Sequence, residues 1–176
     1  MNVLSRAFLV AIALGISACA SVPMAPAQYD TAAKAFTPPP PDRAHVYVYR
    51  NEGFGASVKM DLKLDGQPAG TTVAKTFALL PMLPGQHRLT SEAENTSELM
   101  LSVRPGEILF VWQEVKMGVL YARNKLQLVP TQTGSKGVLE CNLIGMPPPP
   151  LPQPNPPMAP AAPPAAPPSL VPPPSS

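Results

Sequence analysis

Charge, histidine and cysteine are all scarce in this chain. Acidic and basic residues make up 14% of its 176 positions, with two histidines and two cysteines. The net charge of +2 is spread thinly, since Arg43, Arg50, Lys59 and Lys63 interleave with Glu52, Asp61 and Asp65. A nucleic-acid binder needs a clustered basic stripe, so nucleic acid is not an expected partner. His45 and His87 have no cysteine or acidic partner at ligand spacing, and no metal or other cofactor is expected. No Gly-x-Ser-x-Gly elbow is present, and no catalytic residues are assigned. A Ser-His-acid set assembled only in space stays open as a lesser reading, because it leaves no linear signature. Glu92, Glu94 and Glu98 around Asn95 read as a hydrophilic loop between strands. Asn51-Glu52-Gly53-Phe54-Gly55 is too short to cradle phosphate and has no helix behind it. It reads as an inter-strand loop, with Arg50, Asn51, Glu52 and Phe54 as a possible partner-binding surface.

An apolar run long enough to cross a bilayer is missing too. Ala7 to Ala18 is twelve residues, whereas a membrane-spanning helix needs about 20. Placed behind the amino terminus and Arg6, this run reads as the apolar region of a secretory signal. It ends in Ile16-Ser17-Ala18-Cys19: one aliphatic residue, two small ones and a cysteine. That tetrad resembles the lipobox of bacterial lipoproteins. The resemblance implies cleavage between Ala18 and Cys19 and attachment of a diacylglyceryl group at the Cys19 thiol, usually with N-acylation (palmitate) as well. One acyl chain binds a membrane only marginally, so two or three make the anchor firm. Ala20 stands where inner-membrane retention signals typically carry Asp. The implied address is the outer membrane, lipid-anchored on its periplasmic face.

Proline is abundant but uneven. Pro23, Pro26 and Pro38 to Pro41 lie before residue 43, and residues 147–176 hold 16 of the 27 prolines with no charge at all. Such segments bury too little surface to offset their ordering entropy. The expected layout is a signal peptide over 1–18, a lipidated flexible tether over 19–42, one domain over 43–144 and a disordered Pro-rich tail over 145–176. In the polyproline II form, at about 3.1 Å per residue, thirty residues reach ~90 Å. A spacer reaching a partner and a passive appendage both remain open for that tail. Once Cys19 is lipidated, Cys141 is a lone thiol, with burial in a strand favoured over an intermolecular bridge.

The domain reads as strands. Val46 and Val48 alternate with Tyr47 and Tyr49, and Val58, Met60, Leu62 and Leu64 alternate with Lys59, Asp61 and Lys63. Asp65-Gly66 supplies a hairpin turn. Pro81 argues for an edge or bulge in the strand Thr76 to Met82. Ile108 to Trp112 is apolar on both faces, as a central strand would be. Thr131 to Gly137 is turn-rich, and no stretch is a convincing amphipathic helix. The expected fold is all-β: a single antiparallel β-sandwich of seven to eight strands.

Tyr47-Val48-Tyr49-Arg50-Asn51-Glu52, Leu64-Asp65-Gly66-Gln67, Leu83-Pro84-Gly85-Gln86-His87, Gln113 to Gly118 and Ala122 to Val129 together resemble an uncharacterised family of proteobacterial lipoproteins. The match covers about Ala44 to Leu143 and implies an envelope β-domain without implying a reaction. Lys63 to Thr90 also resembles PEGA-type domains, although the Pro-Glu-Gly-Ala tetrad is missing. The expected function is a non-catalytic binding or structural module of the cell envelope. Its expected partners are the membrane, through lipidated Cys19, and an unknown envelope protein or cell-wall component. A carbohydrate binder and, less favoured, an envelope hydrolase are the alternatives.

Overall fold

Alternation of small aliphatic and aromatic side chains sets the layers of this fold. The computed structural model describes residues 21–53, 56, 58–118 and 122–145. In β1 (Ala44–Arg50), successive side chains point to opposite faces. Ala44, Val46 and Val48 enter a core shared with Leu62, Leu89, Leu101 and Val111. Tyr47 and Tyr49 enter a second cluster with Phe77, Phe110 and Val138. Both faces of β1 are therefore buried.

The remaining strands are β2 (Met60–Leu64), β3 (Gln67–Thr72), β4 (Thr76–Met82), β5 (Gly85–Glu92), β6 (Thr96–Val103), β7 (Ile108–Met117), β8 (Ala122–Val129) and β9 (Asn142–Leu143). They form a five-stranded sheet in the order β8-β7-β1-β4-β9 and a four-stranded sheet in the order β3-β2-β5-β6. The first core lies between the sheets, as a sandwich requires. Gln113 of β7 ties the sheets across that core: it accepts from Thr72 Oγ1 of β3 and donates to Ser91 Oγ of β5. At one side, Leu126 N donates to Ser97 Oγ at 3.0 Å, stitching β8 to β6.

The all-β sandwich matches the expectation, and two details differ. The described residues form nine strands rather than seven or eight, and the larger sheet is mixed rather than antiparallel. β1 pairs in parallel with β7 and β4 with β9. The cause is local. Gly106 N donates to Arg43 O at 2.7 Å and His45 N to Glu107 O at 2.9 Å, which holds the turn before β7 against the start of β1. β7 must then run the same way as β1.

The turn readings fare well. Asp65 and Gly66 have φ of +51° and +82°, as the hairpin between β2 and β3 demands. Pro81 pairs with His45 on one side of β4, and on the other side β9 reaches only Thr76 and Phe77. Pro81 thus lies on an open edge, where its missing N–H leaves no gap in a ladder.

Two helices cover the outer face of the five-stranded sheet, which corrects the expectation of none. α1 (Ala27–Lys34) falls inside 19–42, the segment expected to be a flexible tether. Pro26 precedes it, and Lys34 bridges Asp30 at 2.7 Å one turn away. Tyr47 Oη donates to Ala33 O at 2.9 Å, and Leu143 N donates to Asp30 Oδ1 at 2.7 Å. The described part of that segment is therefore docked on the domain. α2 (Thr131–Leu139) occupies the stretch expected to be turns. Gly134 and Gly137 let its backbone lie directly on the rings of Phe110 and Tyr49, where an added Cβ would collide. Among the described residues no helix is long and apolar enough to cross a membrane. The readings for 1–18, for Cys19 and for the tail from Met146 onward fall outside the described residues.

Candidate functional sites on the helix-covered face

Arg50 turns inward, while Asn51 and Glu52 are half-buried. Arg50 is fully buried at 0% exposure, and its Nη1 donates to Val58 O at 2.7 Å. Burial draws its guanidinium below its ordinary value, and Glu52 pulls it partly back. Glu52 Oε1 accepts from Val115 N at 3.4 Å, and Asn51 Nδ2 donates to Glu140 Oε2 at 3.5 Å. These bonds tie the corner to β7 and the end of α2, which takes Arg50 out of any partner surface and leaves Asn51 at the rim of the smaller groove described below. Phe54 lies outside the described residues.

His87 gains an acidic partner that linear spacing does not suggest. Its Nδ1 lies 2.7 Å from Asp65 Oδ2 and its Nε2 2.8 Å from Leu83 O. Asp65 Oδ1 also accepts from Arg88 N at 2.8 Å. Two acceptors around one imidazole call for a proton on each ring nitrogen. The hydrogen bond to Asp65 raises the His87 pKa, and the bond from His87 lowers that of Asp65. With Nε2 given to a backbone carbonyl, this pair has no nitrogen free to take a proton from a nucleophile. It fastens the β2–β3 turn to the start of β5.

Cys141 is buried at 1% exposure, as expected, but in the turn between α2 and β9 rather than in a strand. Its Sγ donates to Arg50 O and Gly137 O, and burial pushes the thiol up to about 12. A protonated thiol sealed in the core forms no bridge. Asn95 belongs to the β5–β6 turn, where its Oδ1 accepts from Asn124 N at 2.8 Å and its Nδ2 donates to Asn124 O at 2.9 Å. Among the described residues no three histidine, cysteine, aspartate or glutamate side chains gather to hold a metal ion.

Among the described residues, two of the concavities on the helix-covered face are of a size to take a ligand. The larger, about 610 Å³, runs between α1 and the half of β4 that β9 leaves open. Its walls are Tyr29 and Ala32 of α1, Tyr47 and His45 of β1, and Leu79 and Pro81 of β4. Among the described residues no lysine, arginine or carboxylate lines it. His45 Nδ1 is a buried atom without a partner, and burial lowers the His45 pKa, which favours the neutral ring. The smaller, about 360 Å³, lies at the other end of the face between α2 and the ends of β1 and β7. Tyr49 and Trp112 form its floor, with Asn51, Gln132, Thr133, Lys136 and Glu140 around it. The Trp112 Nε1 hydrogen is buried and unpartnered. Neither Tyr29 nor Trp112 is singled out by linear pattern. The available signal was Pro26 followed by Asp30 and Lys34 four residues apart, which marks a helix that had to cover something.

A helix-covered β-sandwich with open grooves beside its helices is the class that fold and sites define. Residues 40–124 match the family described as Protein of unknown function (DUF2846). An uncharacterized protein of Haemophilus influenzae is 31% identical over 140 residues, 79% of this chain and 83% of its own length. The chain belongs to this family of proteins of unknown function. No solved structure matches it.

Proposed function

We propose that this protein is a non-catalytic binding module of the cell envelope, anchored by lipid at Cys19 on the periplasmic face of the outer membrane. The observation that carries the reading is Ile16-Ser17-Ala18-Cys19 closing a twelve-residue apolar run. The geometry of the described ends supports it. Gly145 N donates to Pro23 O at 2.7 Å, and Met24 bridges Ile144, so both ends leave one edge of the sandwich together. Pro23 lies four residues on from Cys19, a stretch that spans at most ~14 Å. An acylated Cys19 would therefore hold that edge, and the larger groove beside it, close to the lipid surface. The test is fractionation after Cys19→Ser. The intact chain is expected in the membrane fraction, resistant to high salt, and the variant in the soluble periplasmic fraction. Equal membrane association of the two would remove the anchor.

Trp112 favours one second reading, a carbohydrate or cell-wall binder. An aromatic floor with amides, a hydroxyl and a buried indole donor suits a sugar ring, which stacks by one face and hydrogen-bonds by its edge. Co-sedimentation with purified cell wall that falls on Trp112→Ala, with the fold intact by circular dichroism, would support it. Unchanged co-sedimentation would end it. The hydrolase reading has no comparable support, because both His87 nitrogens are occupied.

A further inference from the structure

We propose that the groove between α1 and β4 takes one acyl chain of a phospholipid from the membrane that carries the protein, so that this edge of the domain is itself a lipid-contacting face. The proposal rests on the anchor at Cys19. Position argues for it first. The described chain begins at Ser21, and Val22 already packs against the core between the sheets. Val22 lies three residues on from Cys19, a stretch that spans at most ~11 Å. Met24, two residues further on, lines the groove. An acylated Cys19 therefore has little slack, and it holds the Met24 side of the groove near the leaflet.

Chemistry then names the occupant. The groove, at about 610 Å³, is within the range of small-molecule sites. Its walls are largely aliphatic, with Ala32 on α1 facing Leu79 and Pro81 on β4, and among the described residues they carry no lysine, arginine or carboxylate. A sugar or a charged metabolite buried there would lose more hydrogen bonds to water than such walls return. A hydrocarbon chain has none to lose. It leaves the leaflet for a surface equally apolar, and the gain is wall area taken out of water. Two large apolar side chains at the groove are already exposed, Met24 at 45% and Tyr29 at 58%. A phenol with an apolar body and a polar tip suits the boundary between acyl chains and headgroups. Pro81, on the half of β4 that β9 leaves open, has no N–H to be stranded under hydrocarbon. Met100 makes the contrast on the four-stranded sheet. It is equally exposed, at 58%, but Lys63, Arg88, Glu92 and Glu98 share its concavity.

The test uses the full chain as isolated from source-cell membranes. It is reconstituted in vesicles of phosphatidylethanolamine and phosphatidylglycerol doped with a phospholipid that bears a photoreactive diazirine midway along one acyl chain. Labelling is read on the tryptic peptide Thr76–Arg88, which holds Leu79 and Pro81, and on the peptide that holds Met100. Ala32→Trp fills the groove from an exposed position of α1, and Ala32→Glu puts a charge in it, with the fold of each checked by circular dichroism. Thr76–Arg88 should be labelled about tenfold more than the Met100 peptide, and either variant should lower that labelling about tenfold. Equal labelling of the two peptides, or labelling unchanged in both variants, would overturn the proposal. So would an unlabelled Thr76–Arg88 in a chain that stays with the vesicles at high salt, a result that leaves the anchor standing. If that chain also cross-links as a dimer through α1 or β4, the groove belongs to a second copy. A native chain washed off the vesicles by high salt removes the anchor, and the proposal falls with it.

Discussion

In the four-stranded sheet, Met60 and Leu62 of β2 point to the core while Asp61 faces solvent and Lys63 bridges Glu92 at 2.8 Å on the outer side. In the five-stranded sheet, β1 has no water-facing side at all. Its outer face carries Tyr47 and Tyr49, flanked by Phe77 and Phe110, with Tyr47 and Phe110 stacked at 5.2 Å between ring centres. An exposed aromatic face of that size would promote association with other chains. α1 and α2 supply the missing cover. One sheet is finished by alternation alone, and the other needs segments from both ends of the domain. Everything that resembles a binding groove on the covered face lies where those helices fail to close the surface completely.

The contrast predicts unequal tolerance to substitution. Phe110→Ala should cost the most, about 4 kcal/mol by chemical denaturation, because it empties the centre of the aromatic layer. Gly134→Val should cost about 3 kcal/mol, since its side chain must displace the Phe110 ring or lift α2 off the sheet. A loss below about 1 kcal/mol would mean that α2 is not seated on the sheet. Gly66→Ala, in the solvated sheet, should cost only about 1 kcal/mol, the penalty of a side chain at positive φ with nothing to strike.

The smallest effect concerns pH. The raised His87 pKa gives stability that is complete below 6.5 and lost as pH rises through the folded value. The lowered Asp65 pKa gives stability present above 3.8 and lost as pH falls through its own folded value. The pair should therefore contribute most between those two limits. Asp65 is about half exposed, so solvent screens the pair and the contribution is within about 1 kcal/mol. His87→Gln should remove this pH dependence from the unfolding midpoint while leaving the Phe110→Ala penalty unchanged. If the dependence persists in the variant, the pair is not its source.

What could be read in advance follows the same division. β2 and its Asp65-Gly66 turn were legible because a half-buried strand alternates and a left-handed turn needs particular residues. β1 and β7 were legible as strands, but their burial on both sides gave no hint of what lay above. α2 was hidden by composition. Gly134, Gly137, Thr131, Thr133 and Ser135 are poor helix formers, and the helix exists because small residues fit against rings. α1 was hidden among prolines that belong to its flanks. The pairing of Asp65 with His87, 22 residues apart, depends on register and has no linear signature. Arg50 was misread because a charged residue beside a glycine loop usually faces water, whereas here it is wholly enclosed.

The most direct test of the proposed anchor is the intact mass of the mature protein, with sequencing of its first peptide, after isolation from source-cell membranes. The account predicts a chain that begins at Cys19 and carries diacylglyceryl and N-acyl groups on that residue. A mature chain that keeps residues 1–18, or begins elsewhere with an unmodified Cys19, would contradict it.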